Sequence, residues 1–132
     1  MANIINLQPS VCNICGGRVI HTTNDKIYNG RKYGNGYCYL CTNCWASVGT
    51  HKDNPQIALG ILANKEMKNL KIKCHDLFDS FWTTSKQRKK EYKWLADQLG
   101  ISVQECHFGY FDLDMLNKAL VILQERKEND KR

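Results

Sequence analysis

The chain has 132 residues, a formal net charge of +6 at pH 7 and a sequence pI near 9.0. Hydrophobic residues make up 42% and charged residues 24% of it, which excludes the composition of a disordered chain and allows one domain or two small lobes. No apolar run approaches the roughly 18 residues that a membrane-spanning helix needs, so no membrane partner is expected.

The first residues of the chain lack both the basic region and the apolar region of a secretory signal peptide. Without an export signal, the seven cysteines are expected to be reduced thiols or metal ligands rather than disulfides. The expected location is therefore the cytoplasm. The basic charge favours a polyanionic partner such as nucleic acid, and a general solubility role of the charge is the alternative.

The N-terminal part, from Val11 to about Val48, is rich in Gly, Cys, Tyr and Asn and shows no helical periodicity. Its aliphatic, aromatic and β-branched residues predict one strand at residues 19–23 and a second at residues 36–40. The dipeptide Asn29-Gly30 is a turn signal between them. The pattern therefore predicts a β-hairpin.

Residues 49–55 have the composition of a loop, and helical periodicity begins after them. We therefore predict an N-terminal lobe at residues 1–54 and a helical lobe at residues 55–132. Asn64 is a suitable N-cap for the first helix. Apolar residues at spacings of three and four place one buried face on this helix: Met67, Leu70, Cys74, Leu77, Phe78 and Phe81.

A second helix is predicted from about Lys86 to Leu99, with Gly100 as its C-terminal stop. The pattern Ser102-x-x-Glu105 fits a capping box that starts one short turn. Asp112 is a suitable N-cap for a last helix, and the mixed-charge tail at residues 124–132 is expected to fray.

Two Cys-x-x-Cys units, Cys12 to Cys15 and Cys41 to Cys44, indicate a metal site. Two intervening residues allow both sulfurs of a turn to face one tetrahedral metal at about 2.3 Å. Four thiolates leave no open coordination position, so we expect one structural Zn²⁺ rather than a catalytic one. A set of buried free thiols is the alternative.

Cys38 competes for this site because Cys38 and Cys41 also form a Cys-x-x-Cys unit. We prefer Cys41 with Cys44, since Cys38 lies within the predicted strand and the residues after Cys41 favour a turn. The predicted fold is α+β: an N-terminal zinc ribbon, formed by a β-hairpin with two Cys-x-x-Cys turns, packed on a C-terminal bundle of three to four helices.

The ribbon and several later motifs resemble one family over residues 11–122, in order. The motifs are Val48-Gly49-Thr50-His51-Lys52, Leu62-Ala63-Asn64, Phe78-Asp79-x-x-Trp82, Tyr92-x-Trp94-Leu95-Ala96 and Cys106-His107-Phe108-Gly109-x-Phe111-Asp112. The family is a zinc-finger-containing family of phages and bacteria with no assigned function. The resemblance implies the zinc site, a phage or prophage origin in a bacterial host cell and a helical C-terminal half, but no activity.

Basic residues on the first two helices are the candidate contacts for nucleic acid or another partner. They are Lys65, Lys68, Lys71, Lys86, Arg88, Lys89 and Lys90. A cationic helix face binds phosphates in a salt-dependent way, and ribbon tyrosines could stack on bases: Tyr33, Tyr37 and Tyr39. The competing interpretation is a solvated helix face with tyrosines that pack within the ribbon.

Five polar residues could build a metal-dependent nuclease site if they converge on one pocket. They are His51, His75, His107, Asp79 and Asp112. The favoured interpretation is that these side chains cap helices and form structural hydrogen bonds. No phosphate loop, nucleophile elbow or His-Glu-x-x-His helix is present, so no enzyme activity is expected.

The sequence therefore supports three hypotheses in a stated order. The first is a noncatalytic accessory protein that binds nucleic acid through a basic surface. The second is a phage-encoded inhibitor or adaptor that binds a host protein complex, such as a defence nuclease. The third is a metal-dependent nuclease.

Overall fold

The computed structural model describes residues 6–27, 30 and 36–130. The chain divides into two compact units, and the division falls between Lys65 and Glu66. The N-terminal unit contains a four-stranded antiparallel sheet, and the helical unit contains three α-helices. The fold is α+β, as the sequence predicted.

The sheet is a meander in which each strand pairs with the next. Its strands are β1 (Val19–Thr23), β2 (Tyr37–Cys41), β3 (Ser47–His51) and β4 (Asn54–Ala58), in the order β1-β2-β3-β4. The predicted hairpin of β1 and β2 is confirmed, because the two strands pair antiparallel along their full length.

The connection between β1 and β2 is only partly described. Thr23 lies opposite Tyr37 at the end of the hairpin. Gly30 has a φ of +87° and donates its N–H to the Asp25 carbonyl at 2.8 Å, so its backbone has the left-handed conformation that glycine tolerates. Asn29, the other half of the predicted turn signal, lies outside the described residues.

The prediction of a loop at residues 49–55 is wrong, because strands β3 and β4 occupy most of that segment. Gly49 lies opposite Cys38 of β2, and His51 lies opposite Asn54 across a tight connection. Pro55 lies on the edge strand β4, where a residue without a backbone N–H is tolerated. The observed division of the chain therefore follows β4 rather than preceding it.

The core of the N-terminal unit contains metal-site cysteines together with apolar side chains. Two of the candidate ligands, Cys12 and Cys41, are buried in it. The remaining buried members are Val19, Tyr39, Ala46, Val48, Ala58 and Leu62, with Leu7 packed against them. Sheet and metal site therefore share one small core.

The helical unit contains α1 (Lys65–Asp79), α2 (Ser85–Leu99) and α3 (Leu113–Asp130). Their apolar faces bury the residues expected from helical periodicity, which include Phe78, Leu95, Leu116 and Leu123, each 0% exposed. Within the described part of the chain, no helix is both long enough and apolar enough to cross a bilayer.

Local capping signals set the helix ends, as predicted. Gly100 ends α2 with a φ of +71°. Ser102 and Glu105 form a reciprocal capping box around a short 3-10 turn. The Asp112 carboxylate accepts the Met115 N–H at 2.9 Å at the start of α3. Side-chain oxygens satisfy otherwise unpaired N–H groups at these positions.

The tail predicted to fray is helical up to Asp130. The Arg126 guanidinium lies 4.2 Å from the Phe81 ring centroid and 4.5 Å from that of Trp94. Arg126 also forms an ion pair with Glu91 of α2. These contacts anchor the last turns of α3, which composition alone did not reveal.

Candidate metal centre and basic cluster

The two Cys-x-x-Cys turns bring four sulfurs together in the N-terminal unit. The Sγ atoms of Cys12, Cys15, Cys41 and Cys44 all lie within 4.8 Å of one another. Cys12 Sγ lies 3.7 Å from Cys44 Sγ, and Cys15 Sγ lies 3.4 Å from Cys41 Sγ. A tetrahedron with Zn–S bonds of about 2.3 Å has edges of roughly 3.8 Å. The site therefore fits one structural Zn²⁺.

Backbone N–H groups surround the sulfurs and point at them. At 3.3–3.4 Å, Ile14 donates to Cys12 Sγ, Gly17 to Cys15 Sγ, and Asn43 and Cys44 to Cys41 Sγ. The side-chain amide of Asn43 also donates to Cys15 Sγ at 3.4 Å. Such outer hydrogen bonds orient metal ligands and favour the thiolate form that binds zinc.

Two glycines follow the first pair of cysteines for different reasons. Gly16 has a φ of +77°, and a Cβ added to it would meet no atom within 4 Å. At Gly17 a Cβ would lie 2.7 Å from Asn43 Cβ and 3.1 Å from the sulfurs of Cys15 and Cys41. Gly16 therefore provides the turn, whereas Gly17 leaves the space that the two turns need in order to meet.

The thiols influence one another's ionisation. The Asn43 amide, the Gly17 N–H and the Cys41 thiol lower the pKa of Cys15 to about 6. At Cys44 a hydrogen bond from the Ala46 N–H acts to lower the pKa, but desolvation and the neighbouring thiols raise it to about 12. The first negative charge forms readily and opposes the next, which is the electrostatic problem that a bound dication solves.

The preference for Cys41 and Cys44 over Cys38 is confirmed. Cys38 is buried within β2, opposite Thr22 and Gly49, and does not belong to the four-sulfur cluster. Four sulfur donors match a closed, tetrahedral structural site, in which zinc binding contributes to folding.

Trp45, which sequence reasoning did not single out, follows the last ligand directly. Its side chain is 63% exposed, and its φ of +66° places a bulky residue in the left-handed region. The Trp45 N–H donates to the Cys41 carbonyl at 3.1 Å, which closes the turn. Val11 and Ile14 beside the first cysteine pair are also exposed. The turns thus expose apolar side chains.

The three tyrosines predicted to stack on bases differ in position. Tyr39 is buried and its hydroxyl donates to the Gln56 carbonyl at 2.6 Å, which contradicts a stacking role for its ring. Tyr37 is partly exposed and stacks on His21, with ring centroids 5.5 Å apart. Tyr33 lies outside the described residues.

The predicted basic residues are placed on α1 and α2. Lys68 and Lys71 are half-buried on one side of α1, and burial together with the Lys68 charge lowers the pKa of Lys71 to about 8. The others are exposed: Lys65 at the start of α1, and Lys86, Arg88, Lys89 and Lys90 in the first half of α2.

Three of the five predicted polar residues come together in the helical unit. His75 lies edge-on to Phe108 at 4.7 Å, and the His107 ring lies 6.2 Å from that of Tyr92. Asp79 accepts the indole N–H of Trp82 at 3.1 Å. His51 is instead exposed at the end of β3 in the N-terminal unit, and Asp112 caps α3.

Arg88 joins this group in a way that sequence reasoning missed. Its guanidinium lies 5.0 Å from the Tyr92 ring centroid and 5.6 Å from that of Trp82, and it donates to the Tyr92 hydroxyl at 3.4 Å. The spacing of four residues between Arg88 and Tyr92 was the available signal, because residues i and i+4 are neighbours on a helix.

Comparison with known proteins gives one match. No curated protein and no solved structure matches the chain. Residues 8–126 match the family described as a zinc-finger-containing domain, which has no assigned function. This match covers both the four-cysteine cluster and the three helices. The chain therefore belongs to the zinc-finger-containing domain family.

Proposed function

We propose that this protein is a noncatalytic accessory protein that contacts nucleic acid through a basic surface of the helical unit. The basic surface is defined by Lys68, Lys71 and Arg88. The resemblance of the sequence to proteins of phages and bacteria adds a phage or prophage origin and the host cytoplasm to the proposal. The zinc-stabilised unit serves as a rigid structural part.

The observation that carries this proposal is the segregation of charge within the helical unit. Residues 65–93 contain nine lysines and arginines and four acidic residues. One of those four, Glu91, is neutralised by its ion pair with Arg126. The excess positive charge therefore collects on α1 and the first half of α2, as in proteins that bind phosphates.

Cations from both helices meet on this surface. The charges of Lys71 on α1 and of Arg88 on α2 both act on the His75 imidazole between them. Lys68 and Lys71 are close enough to repel each other. A polyanion relieves this repulsion when it binds, because its phosphates bring negative charge to the surface and release counterions.

The test is fluorescence anisotropy of the zinc-loaded protein with short single- and double-stranded oligonucleotides over a range of salt concentrations. We expect the logarithm of the binding constant to fall with the logarithm of salt, with a slope of about −0.9 per phosphate contacted on duplex DNA. The Lys68→Gln/Lys71→Gln double variant should reduce the magnitude of the slope by about two.

The matched control removes two exposed charges outside α1 and α2. The Lys52→Gln/Lys118→Gln variant has the same net charge as the first variant and should retain the original slope. No binding at low salt, or equal losses in both variants, would contradict the proposal. Oligonucleotide cleavage by the wild-type protein would contradict its noncatalytic part.

A second candidate function, an adaptor or inhibitor that binds a host protein complex, is favoured by the exposed apolar side chains around the metal site. Val11 and Trp45 are each 63% exposed and Ile14 is 40% exposed. Exposed aromatic and aliphatic clusters are typical of protein-binding sites. Recovery of one host complex that Trp45→Ala abolishes and Lys68→Gln/Lys71→Gln does not would favour this function over the first.

A further inference from the structure

Two arginines of the helical unit are held between aromatic rings, and their surroundings differ in one respect. Arg126 lies between Phe81 and Trp94 and forms an ion pair with Glu91. Arg88 lies near the rings of Trp82 and Tyr92. Among the described residues, no carboxylate forms an ion pair with Arg88.

The side chain of Arg88 is fixed in place but retains unused hydrogen-bonding capacity. A guanidinium has five N–H donors, and the contact with the Tyr92 hydroxyl uses one of them. The stacked rings restrict the rotation of the side chain, so little entropy is lost when a ligand binds its remaining donors. Arg88 is exposed and therefore accessible to a ligand.

Two imidazoles flank this guanidinium on a shared aromatic base. Phe108 is buried and contacts His75 edge-on at 4.7 Å and Tyr92 at 6.5 Å. His107 packs against Tyr92 at 6.2 Å. Both histidines are exposed at the surface. Arg88, Tyr92, His75 and His107 thus form one group, which we call the Arg88 cluster.

We propose that the Arg88 cluster binds a single phosphate group of the nucleic acid, an inference that rests on the proposed function. The guanidinium donates to two phosphate oxygens, and the ring N–H groups of the histidines and the Tyr92 hydroxyl donate to the others. The planar fork of an arginine matches the geometry of phosphate, and neutral donors complete the coordination of the anion.

The charges around the two imidazoles agree with this assignment. For His75, desolvation lowers the pKa, the Asp79 and Asp76 charges raise it, and those of Arg88 and Lys71 lower it further, so that the net pKa is lowered. Desolvation and the Arg88 charge also lower the pKa of His107. An anion at the cluster opposes both cationic influences.

The Asp79 carboxylate is the negative group nearest to this arrangement, and it is held away from Arg88. It accepts the Trp82 indole N–H at 3.1 Å. Its charge opposes the binding of an anion to the cluster. Removal of that charge should therefore strengthen phosphate binding, a change of sign that a purely structural role of the cluster does not predict.

The first experiment titrates the zinc-loaded full-length protein with inorganic phosphate and follows the histidine ring signals by NMR. We expect phosphate to raise the pKa values of His75 and His107 and to leave that of the exposed His51 unchanged. Arg88→Gln should weaken phosphate binding about tenfold, as expected for loss of a charged donor pair. Asp79→Asn should strengthen it, and the exposed Lys118→Gln should have no effect.

A second experiment distinguishes an internal phosphodiester from a terminal phosphate. Oligonucleotides of one sequence, with and without a 5′-phosphate, are compared by anisotropy. A preference for the phosphorylated end that Arg88→Gln removes assigns the cluster to chain ends. Equal binding of both oligonucleotides, weakened equally by Arg88→Gln, assigns it to an internal phosphate.

Failure of this inference is distinguishable from failure of the proposed function. If oligonucleotides bind through Lys68 and Lys71 but Arg88→Gln, His107→Gln and Asp79→Asn change nothing, the cluster is structural and the inference is overturned. If inorganic phosphate raises both histidine pKa values but no oligonucleotide binds at low salt, the proposed function fails while the anion site remains. Absence of any phosphate effect on the two histidines overturns the inference.

Discussion

The N-terminal unit surrounds four thiols with a small sheet, whereas the helical unit encloses aromatic rings and leucines. In the first, Cys12 and Cys41 lie within the core cluster itself. In the second, Phe78 and Phe108 lie at the centre, with Phe78 4.3 Å from Tyr92 and 5.7 Å from Phe108. The difference teaches that a metal can supply the cohesion that a short sheet cannot obtain from apolar area alone.

Loss of zinc is expected to have the largest effect and to separate the two units. A structural zinc contributes about 10–16 kcal/mol in isolated zinc-finger peptides. Chelation, or Cys41→Ser, should therefore collapse the NMR signals of the N-terminal unit into the unfolded range. The helical signals should remain, since no ligand of the four-sulfur cluster lies on α1, α2 or α3.

The control for ligand identity is Cys38→Ala, which should retain one zinc per chain because Cys38 is not part of the cluster. Cooperative unfolding of both units on chelation would contradict the comparison, because it would show that the helical unit also depends on the metal.

Truncation of the helical core is expected to have the next largest effect. Phe78 is 0% exposed, so Phe78→Ala should lower the free energy of unfolding by about 3–5 kcal/mol. Ile72→Ala on the same helix removes a side chain that is 59% exposed and should change stability by less than about 0.5 kcal/mol. Urea unfolding at saturating zinc measures both. A fall in zinc stoichiometry of Phe78→Ala would show that the units are coupled.

The two glycines beside the metal site provide a smaller, paired effect. Gly17→Ala places a carbon 2.7 Å from Asn43 Cβ, so it should destabilise the unit by about 1–3 kcal/mol and weaken zinc binding in a chelator competition. Gly16→Ala meets no atom and introduces only left-handed strain of about 1 kcal/mol. The reverse order of zinc affinities would refute the role of Gly17 as a spacer.

The smallest expected effect isolates the backbone of Trp45. Trp45→Gly and Trp45→Ala remove the same exposed ring but differ in their tolerance of a φ of +66°. The glycine variant should be more stable than the alanine variant by about 1 kcal/mol. Thermal unfolding of the zinc-loaded proteins measures the difference. An alanine variant of equal or higher stability would show that the backbone is not strained there.

The sequence by itself determined the features that depend on neighbouring residues. Cys12 and Cys15 identify themselves because two intervening residues suffice to aim both sulfurs at one ion. The end of α2 at Gly100 and the start of α3 after Asp112 follow from capping, which involves residues one turn apart. The α+β class follows from the change in hydrophobic periodicity between the two halves.

Only the tertiary structure decided the features that depend on distant residues. The composition around β3 predicts a loop, but pairing with β2 makes this segment a strand. The sequence offers Tyr39 for stacking, but its hydroxyl binds a carbonyl on β4. The ionic contrast between Arg88 and Arg126 arises because only Arg126 meets a carboxylate from another helix. Such contacts are set by packing, and no local pattern in the sequence encodes them.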